Sequence, residues 1–185
     1  NYSEGVEPFC VGHEFAGEVV EVGKAVYRHK VGQRVLASGG APCGRCKHCL
    51  SGHTALCDHW TAFGLSKGLN GGQAEFVNVP MADLTLQPIP EGVSDEQSIL
   101  LTDAMCTAYF GLTRTSLQPG DAVAVVGLGP IGLIGVELAF ALGASAVYAI
   151  DPVANRRAHA AGLGAVALEP STALPMIMDG TKGAG

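Results

Sequence analysis

The chain opens on short apolar runs rather than on long periodic stretches. Residues 17–22, 33–37 and 74–79 are brief alternating or β-branched segments bounded by Gly, Asn and Pro. Segments of this kind predict the strands of an all-β barrel or sandwich, because the side chains of a half-buried strand alternate between two faces. Near residue 90 the pattern changes. Ser94 and Gln97 stand three apart, as in a capping box, and the spacing that follows predicts a helix from there to about residue 113. This helix is expected to bridge two domains. Ile99, Asp103, Cys106 and Phe110 share one stripe of it, so an ionised Asp103 needs a partner there: an Arg, a helix-end amide or a metal. Cys106 is either a competing ligand or, more simply, a buried free thiol.

From residue 121 the order becomes strand (122–126), glycine turn, apolar helix (130–142) and strand (146–150), which is a βαβ unit of a parallel sheet. The helix is apolar nearly all round and is expected to be buried. Pro130 suits its first turn and Gly143 its C-terminal cap. A helix over 153–161 and a strand over 165–168 continue the alternation. Three parallel strands fall short of a finished doubly wound domain. The expected fold is therefore mixed, a β domain followed by part of an α/β domain.

Composition narrows the function. With 185 residues, 48% apolar and 15% charged, the chain can bury a sizeable core. A net charge of −6 with no Lys/Arg cluster argues against nucleic acid or anionic membrane as a partner. No run reaches eighteen apolar residues and the first residues lack the basic-then-apolar order of a signal peptide, so a soluble cytoplasmic protein is expected. Of six cysteines, four crowd between Cys43 and Cys57, a distribution that favours metal over disulfides.

Cys43, Cys46, Cys49 and Cys57 place four thiols within fifteen residues, the set that a closed, tetrahedral, structural Cys₄ zinc site needs. Reduced core cysteines or two disulfides are the alternatives. His48, His53 and His59 lie nearby and are read as surface or packing residues. The turn Gly127-Leu128-Gly129-Pro130-Ile131-Gly132 sits between a strand and a helix, and Asp151 ends the next strand. In that setting the glycine triplet is a dinucleotide fingerprint: Gly127 makes the tight turn, Gly129 lets backbone approach a pyrophosphate, and Gly132 lets helix pack on strand. Asp151 would accept from the adenosine ribose hydroxyls and repel a 2′-phosphate, which favours NAD over NADP. Arg156 and Arg157 follow closely enough to keep NADP open, and Asp151 could instead be only a turn or helix-cap residue before Pro152. The pair His13-Glu14 is by itself more often a hydrogen-bonded structural pair than a metal site.

Taken together, Gly12-His13-Glu14-Phe15-Ala16-Gly17, the Cys₄ lobe, Leu101-Thr102-Asp103 running into Thr107-Ala108-Tyr109, and the glycine turn resemble the zinc-containing medium-chain dehydrogenase/reductase family, the alcohol dehydrogenases. The resemblance implies a partial GroES-like β-barrel catalytic domain (1–108, with the zinc lobe at 43–57) followed by a partial Rossmann domain (109–185). It implies a catalytic zinc held by His13 and Asp103, with Glu14 as a ligand or adjacent carboxylate, and an activity that passes hydride between an alcohol or carbonyl substrate and NAD. Cofactor contacts are expected from Thr107, Gly127, Leu128, Gly129, Pro130, Ile131, Gly132, Asp151 and Arg156. Asp103 stands where many members carry Cys, which tilts the expected substrate towards secondary alcohols or polyols. Dimers or tetramers of identical chains are usual in the family. Its first catalytic cysteine and the start of its proton relay lie upstream of the His-Glu pair, so the chain is read as an internal fragment, inactive alone. The rival readings are a zinc-free quinone or enoyl reductase of the same superfamily, which the Cys₄ lobe argues against, and a zinc-ribbon binding module, which the acidic balance argues against.

Overall fold

The computed structural model describes residues 9–183. The chain divides into two compact units, the first ending at Asp103 and the second beginning at Ala104.

The first unit is built on a three-stranded antiparallel sheet of β1 (Ala16–Glu18), β2 (Arg34–Ala37) and, further along the chain, β5 (Leu86–Pro88), in the order β1-β2-β5. Gly17 lies opposite Val35, and Leu36 opposite Gln87. Val35, Ala37 and Leu86 are buried, with Phe15, Val19 and Val79 packed on them. Two very short strands, β3 (Gly40–Ala41) and β4 (Thr61–Ala62), form a hairpin. The long connection between them carries α1 (Lys47–Leu50) and a 3₁₀ turn, Thr54–Leu56. Phe63, fully buried, meets Phe15 edge-on with ring centroids 5.0 Å apart. The one-turn helix α2 (Ala82–Thr85) leads into β5.

Three expectations for this half need correction. The predicted strand at 17–22 is paired only at its start. Residues 74–79 form no strand, although Val79 packs on the sheet core. Alternation describes one half of a ladder, and among the described residues no partner strand lies against this segment. The predicted helix after residue 94 is two helices, α3 (Asp95–Leu100) and α4 (Ala104–Thr113). Its start is as expected: Ser94 Oγ accepts from the Gln97 N–H while Gln97 Oε1 accepts from the Ser94 N–H. It ends because the Leu101 and Thr102 N–H groups bond the carbonyls three residues back, and the Thr102 hydroxyl bonds the Ile99 carbonyl at 2.6 Å. That tightening closes the helix before Asp103. The proposed buried stripe is therefore absent, and Ile99, Cys106 and Phe110 are exposed.

In the second unit α4 packs on α5 (Pro130–Ala141) beside a parallel sheet of β6 (Ala122–Val126), β7 (Ala146–Ile150) and β8 (Val166–Leu168), in the order β6-β7-β8. Val126 pairs with Ile150, and Ile150 with Leu168, so the C-terminal ends of all three strands are level. Leu128, Val136, Ala139, Val147, Ala149 and Ala160 make the core on one side. Helix α5 buries the face of Gly135, Val136 and Ala139 while Ile131 stays exposed, so it is covered on one side rather than all round. Gly143 ends it with φ 97°. Helix α6 (Ala154–Gly162) returns to β8. An eleven-residue helix that the sequence pattern did not suggest, α7 (Pro170–Gly180), covers Tyr148, Ile150 and Leu168. Pro175 inside it obscured the signal. Among the described residues no helix is long and apolar enough to cross a membrane.

Candidate functional site

The four cysteines come together as the spacing requires. Their sulfur atoms all lie within 4.8 Å of one another. A tetrahedron with bonds of about 2.3 Å has edges of roughly 3.8 Å, so the set fits one zinc ion. Cys46 and Cys49 sulfurs are 3.5 Å apart, and the Cys57 sulfur accepts N–H groups from Cys43 at 3.2 Å and His59 at 3.3 Å. Backbone donors aimed at sulfur stabilise thiolate over thiol. The N–H of Cys49, then that of Asp58, bring the Cys46 thiol down to about 6. Burial, reinforced by the neighbouring cysteines, pushes Cys49 up to about 12. Four thiolates cannot share this space without a cation, and a bound Zn²⁺ would remove that conflict. The lobe forms no disulfide, so the disulfide alternative falls. His48 faces Asp58 at 3.6 Å and His53 bonds Ser51, which fits their reading as packing residues.

A second pair of ligand-type side chains meets in the same unit. His13 Nε2 lies 3.2 Å from Asp103 Oδ2, across 90 residues of sequence, and both side chains are 40% exposed. The break after α3 places Asp103 here, just outside a helix rather than on one. Two ligand atoms on a tetrahedral zinc with N/O bonds near 2.05 Å are roughly 3.4 Å apart, so the pair has the spacing of one edge of a zinc site. Among the described residues only the four cysteines form a group of three or more such atoms, so Glu14 is not brought into a ligand set with His13 and Asp103.

The glycine turn belongs to the second unit. Gly127 has φ 90° and donates its N–H to the Ile150 carbonyl. A Cβ on Gly132 would sit 1.8 Å from the Gly127 carbonyl oxygen, so no side chain fits there. A Cβ on Gly129, the N-cap of α5, would meet nothing within 4 Å. The helix N-terminus is thus open in front of Gly129, as an approaching pyrophosphate requires, and closed behind Gly132. An apolar groove of about 580 Å³ runs past Thr107, Ala108, Gly127, Gly129, Pro130 and Ile131. Leu128 differs from its neighbours in the turn: its side chain is in the core and its N–H is taken by Asp151 Oδ2 at 2.7 Å. Asp151 Oδ1 accepts from the Val153 N–H at 2.7 Å. These two bonds, Leu128's first, hold the buried Asp151 carboxyl below its ordinary value, helped by Arg156 Nη1 at 3.5 Å. Arg156 is half exposed beside it.

Residues 2–91 match the alcohol dehydrogenase GroES-like domain. A probable zinc-binding alcohol dehydrogenase of Mycobacterium tuberculosis is 39% identical over 179 residues, covering 97% of this chain and 46% of that protein. A sorbitol dehydrogenase of Bacillus subtilis is 35% identical over 159 residues, covering 86% of this chain and 44% of that protein. Among solved structures, an alcohol dehydrogenase from Thermus sp. ATN1 superposes with a TM-score of 0.91 at 36% identity, over 96% of this chain and 53% of that one. The chain belongs to the zinc-dependent alcohol dehydrogenase family of medium-chain dehydrogenase/reductases. It spans about half the length of the relatives it matches.

The two units have the architecture expected for this family, part of a GroES-like domain followed by part of a Rossmann domain. The contact boundary, after Asp103, lies five residues before the expected one at 108, because α4 packs on α5 and so groups with the second unit. Arg157, which the sequence placed with Arg156 as a residue that keeps NADP open, makes contacts that the sequence did not suggest. Its guanidinium is directed at the backbone carbonyls of Asp151 and Pro152 and at Glu169, so of the two arginines Arg156 is the one that faces the Asp151 carboxylate. Nothing in the spacing of residues 151–169 signals this, because the contact joins a helix to the end of a different strand.

Proposed function

We propose that the chain is part of a zinc-dependent alcohol dehydrogenase that passes hydride between an alcohol and NAD, with secondary alcohols or polyols as the favoured substrates. The observation that carries the proposal is the His13–Asp103 pair. Two ligand-type groups from distant segments are held 3.2 Å apart and half exposed, in the same unit as a complete Cys₄ set. We assign His13 and Asp103 to a catalytic zinc, with Glu14 as the adjacent outer carboxylate rather than a direct ligand, and Cys43, Cys46, Cys49 and Cys57 to a structural zinc. Zinc at His13 would supply a Lewis acid to the alcohol oxygen, and NAD the hydride acceptor.

The remaining work falls to the chain's own groups. Gly127, Gly129 and Gly132 shape a helix start that takes a pyrophosphate, with Pro130 and Ile131 in its first turn and Thr107 on the far wall of the groove. Leu128 contributes through its backbone, tying the turn to Asp151. Asp151 stays ionised at neutral pH because Leu128 and Val153 donate to it, and its negative charge opposes a 2′-phosphate. This supports NAD over NADP, with Arg156 placed to contact the ribose edge. We keep 1–108 as the catalytic domain and 109–185 as the cofactor domain, in a dimer or tetramer of identical chains. The name of the sorbitol dehydrogenase relative supports the polyol reading.

The test is to express the complete reading frame with zinc and follow reduction of NAD, and separately of NADP, against primary alcohols, secondary alcohols, polyols and threonine. Turnover with secondary alcohols or polyols that disappears on chelation and returns with zinc supports the proposal. Turnover indifferent to chelation, or reduction of NADP alone, contradicts it.

A further inference from the structure

The turn that follows β7 has an unusual support. Pro152 has no N–H, and the N–H groups on either side of it are taken by the Leu168 carbonyl and the Asp151 carboxylate, which leaves the carbonyl oxygens of Asp151 and Pro152 for a further donor. Both of the carbonyls there are gripped by one group: Arg157 Nη1 donates to the Asp151 oxygen at 2.8 Å and to the Pro152 oxygen at 2.9 Å. Its Nη2 donates to Glu169 Oε1 at 2.6 Å, at the junction of β8 and α7. The Arg157 side chain is 16% exposed. On its other side Asp151 donates its N–H to the Leu168 carbonyl and accepts from Leu128, in the glycine turn, through its carboxylate. Arg157 therefore closes a chain of contacts from the end of β8, through the end of β7, to the start of α5. Three of its five N–H donors are engaged by the protein, two on Nη1 and one on Nη2, and the side chain is largely buried, so the group is turned inward rather than toward a ligand.

We propose that Arg157, braced by Glu169, is a positioning residue for the cofactor's adenosine end. It fixes the Asp151–Pro152 backbone so that the Asp151 carboxylate is presented in one place, and it does so without touching the cofactor. The proposal rests on the reading of this unit as a dinucleotide site. Charge-assisted bonds to backbone are individually strong, and losing the clamp lets the turn relax away from the geometry that binds.

The experiment uses the full-length enzyme and the variants Arg157→Ala, Arg157→Lys and Glu169→Gln. NADH affinity is read by cofactor fluorescence, kcat at saturating NAD, and thermal melting without cofactor. Arg157→Ala is expected to weaken NADH binding about tenfold, equivalent to about 1.4 kcal/mol, with kcat retained. Arg157→Lys, able to make some of the same contacts, should fall between wild type and Ala. Glu169→Gln keeps a neutral acceptor and should weaken binding by about twofold to threefold. It also serves as the readout should the Ala variant fail to fold, and then an affinity equal to wild type overturns the proposal. A lowered melting temperature with unchanged NADH affinity in Arg157→Ala would show a purely structural residue and overturn it. So would an equal loss of kcat and affinity. Wild-type enzyme that binds no NADH would overturn the dinucleotide reading itself, and this proposal with it.

Discussion

Gly129 and Gly132 are three residues apart in one turn, yet Ala at each should do opposite things. At Gly132 the added methyl would lie 1.8 Å from the Gly127 carbonyl oxygen and 2.8 Å from its carbon. Ordinary carbon–oxygen contact is above 3 Å, and both obstructing atoms are backbone, so no rotamer change relieves the clash. Helix α5 must move off β6 or the turn must open, at a cost of about 3 kcal/mol, seen as a melting temperature lower by roughly 2–4 °C for each kcal/mol. At Gly129 φ is −72° and nothing lies within 4 Å, so Ala is accommodated by the fold and melting should match wild type. The methyl would nevertheless occupy the space in front of the helix N-terminus that a pyrophosphate must enter. NADH affinity should then fall at least tenfold, about 1.4 kcal/mol. Thermal melting without cofactor and NADH titration of both variants in the full-length protein are the assays. A Gly132→Ala protein with wild-type melting, or a Gly129→Ala protein with wild-type NADH affinity, would refute the reasoning for that residue.

Further expectations concern the metals and one carboxylate. Asp103→Ala should reduce alcohol turnover to background while the Cys₄ lobe keeps its zinc; turnover equal to wild type removes Asp103 from the site. Cys46→Ser should lose the structural zinc, and because such sites are worth about 10 kcal/mol or more in isolated peptides, the lobe around residues 43–57 should become the first point of limited proteolysis. An unchanged digestion pattern would argue that the lobe holds its shape without metal. The folded-state pKa of Asp151 is depressed, so its contribution is present above the unfolded value of about 3.9 and is lost as pH falls through the lower folded value. Melting of wild type should therefore decline more steeply on acidification than that of Asp151→Asn, and parallel curves would contradict the role given to the Leu128 and Val153 N–H groups.

Much of this was legible in the sequence because it is local. The strands β6, β7 and β8, the helix between Pro130 and Ala141, the Ser94–Gln97 capping box and the four-cysteine lobe each depend on residues close together in the chain. What failed depends on partners or on local detail. A strand at 74–79 needs a neighbour that its own alternation cannot supply, while β5 was hidden by Pro88, which only an edge position tolerates. The single long helix was broken by a Thr102 hydroxyl bond that periodicity does not register. The site divides the same way. Gly127 to Gly132 could be assigned from spacing, but the meeting of His13 with Asp103 spans 90 residues and could be anticipated only by resemblance. That Leu128 gives its N–H to Asp151, and that Arg157 turns inward while Arg156 does not, are facts of packing.

The most direct test is the zinc content of the purified full-length protein, measured for wild type, Asp103→Ala and Cys46→Ser alongside NAD-linked alcohol oxidation. The expected result is about two zinc ions per chain in wild type and about one in Asp103→Ala, with turnover present only in the two-zinc protein. If wild type carried only the zinc of the Cys₄ lobe, or none, and still turned over alcohol, the assignment of His13 and Asp103 to a catalytic zinc would be contradicted.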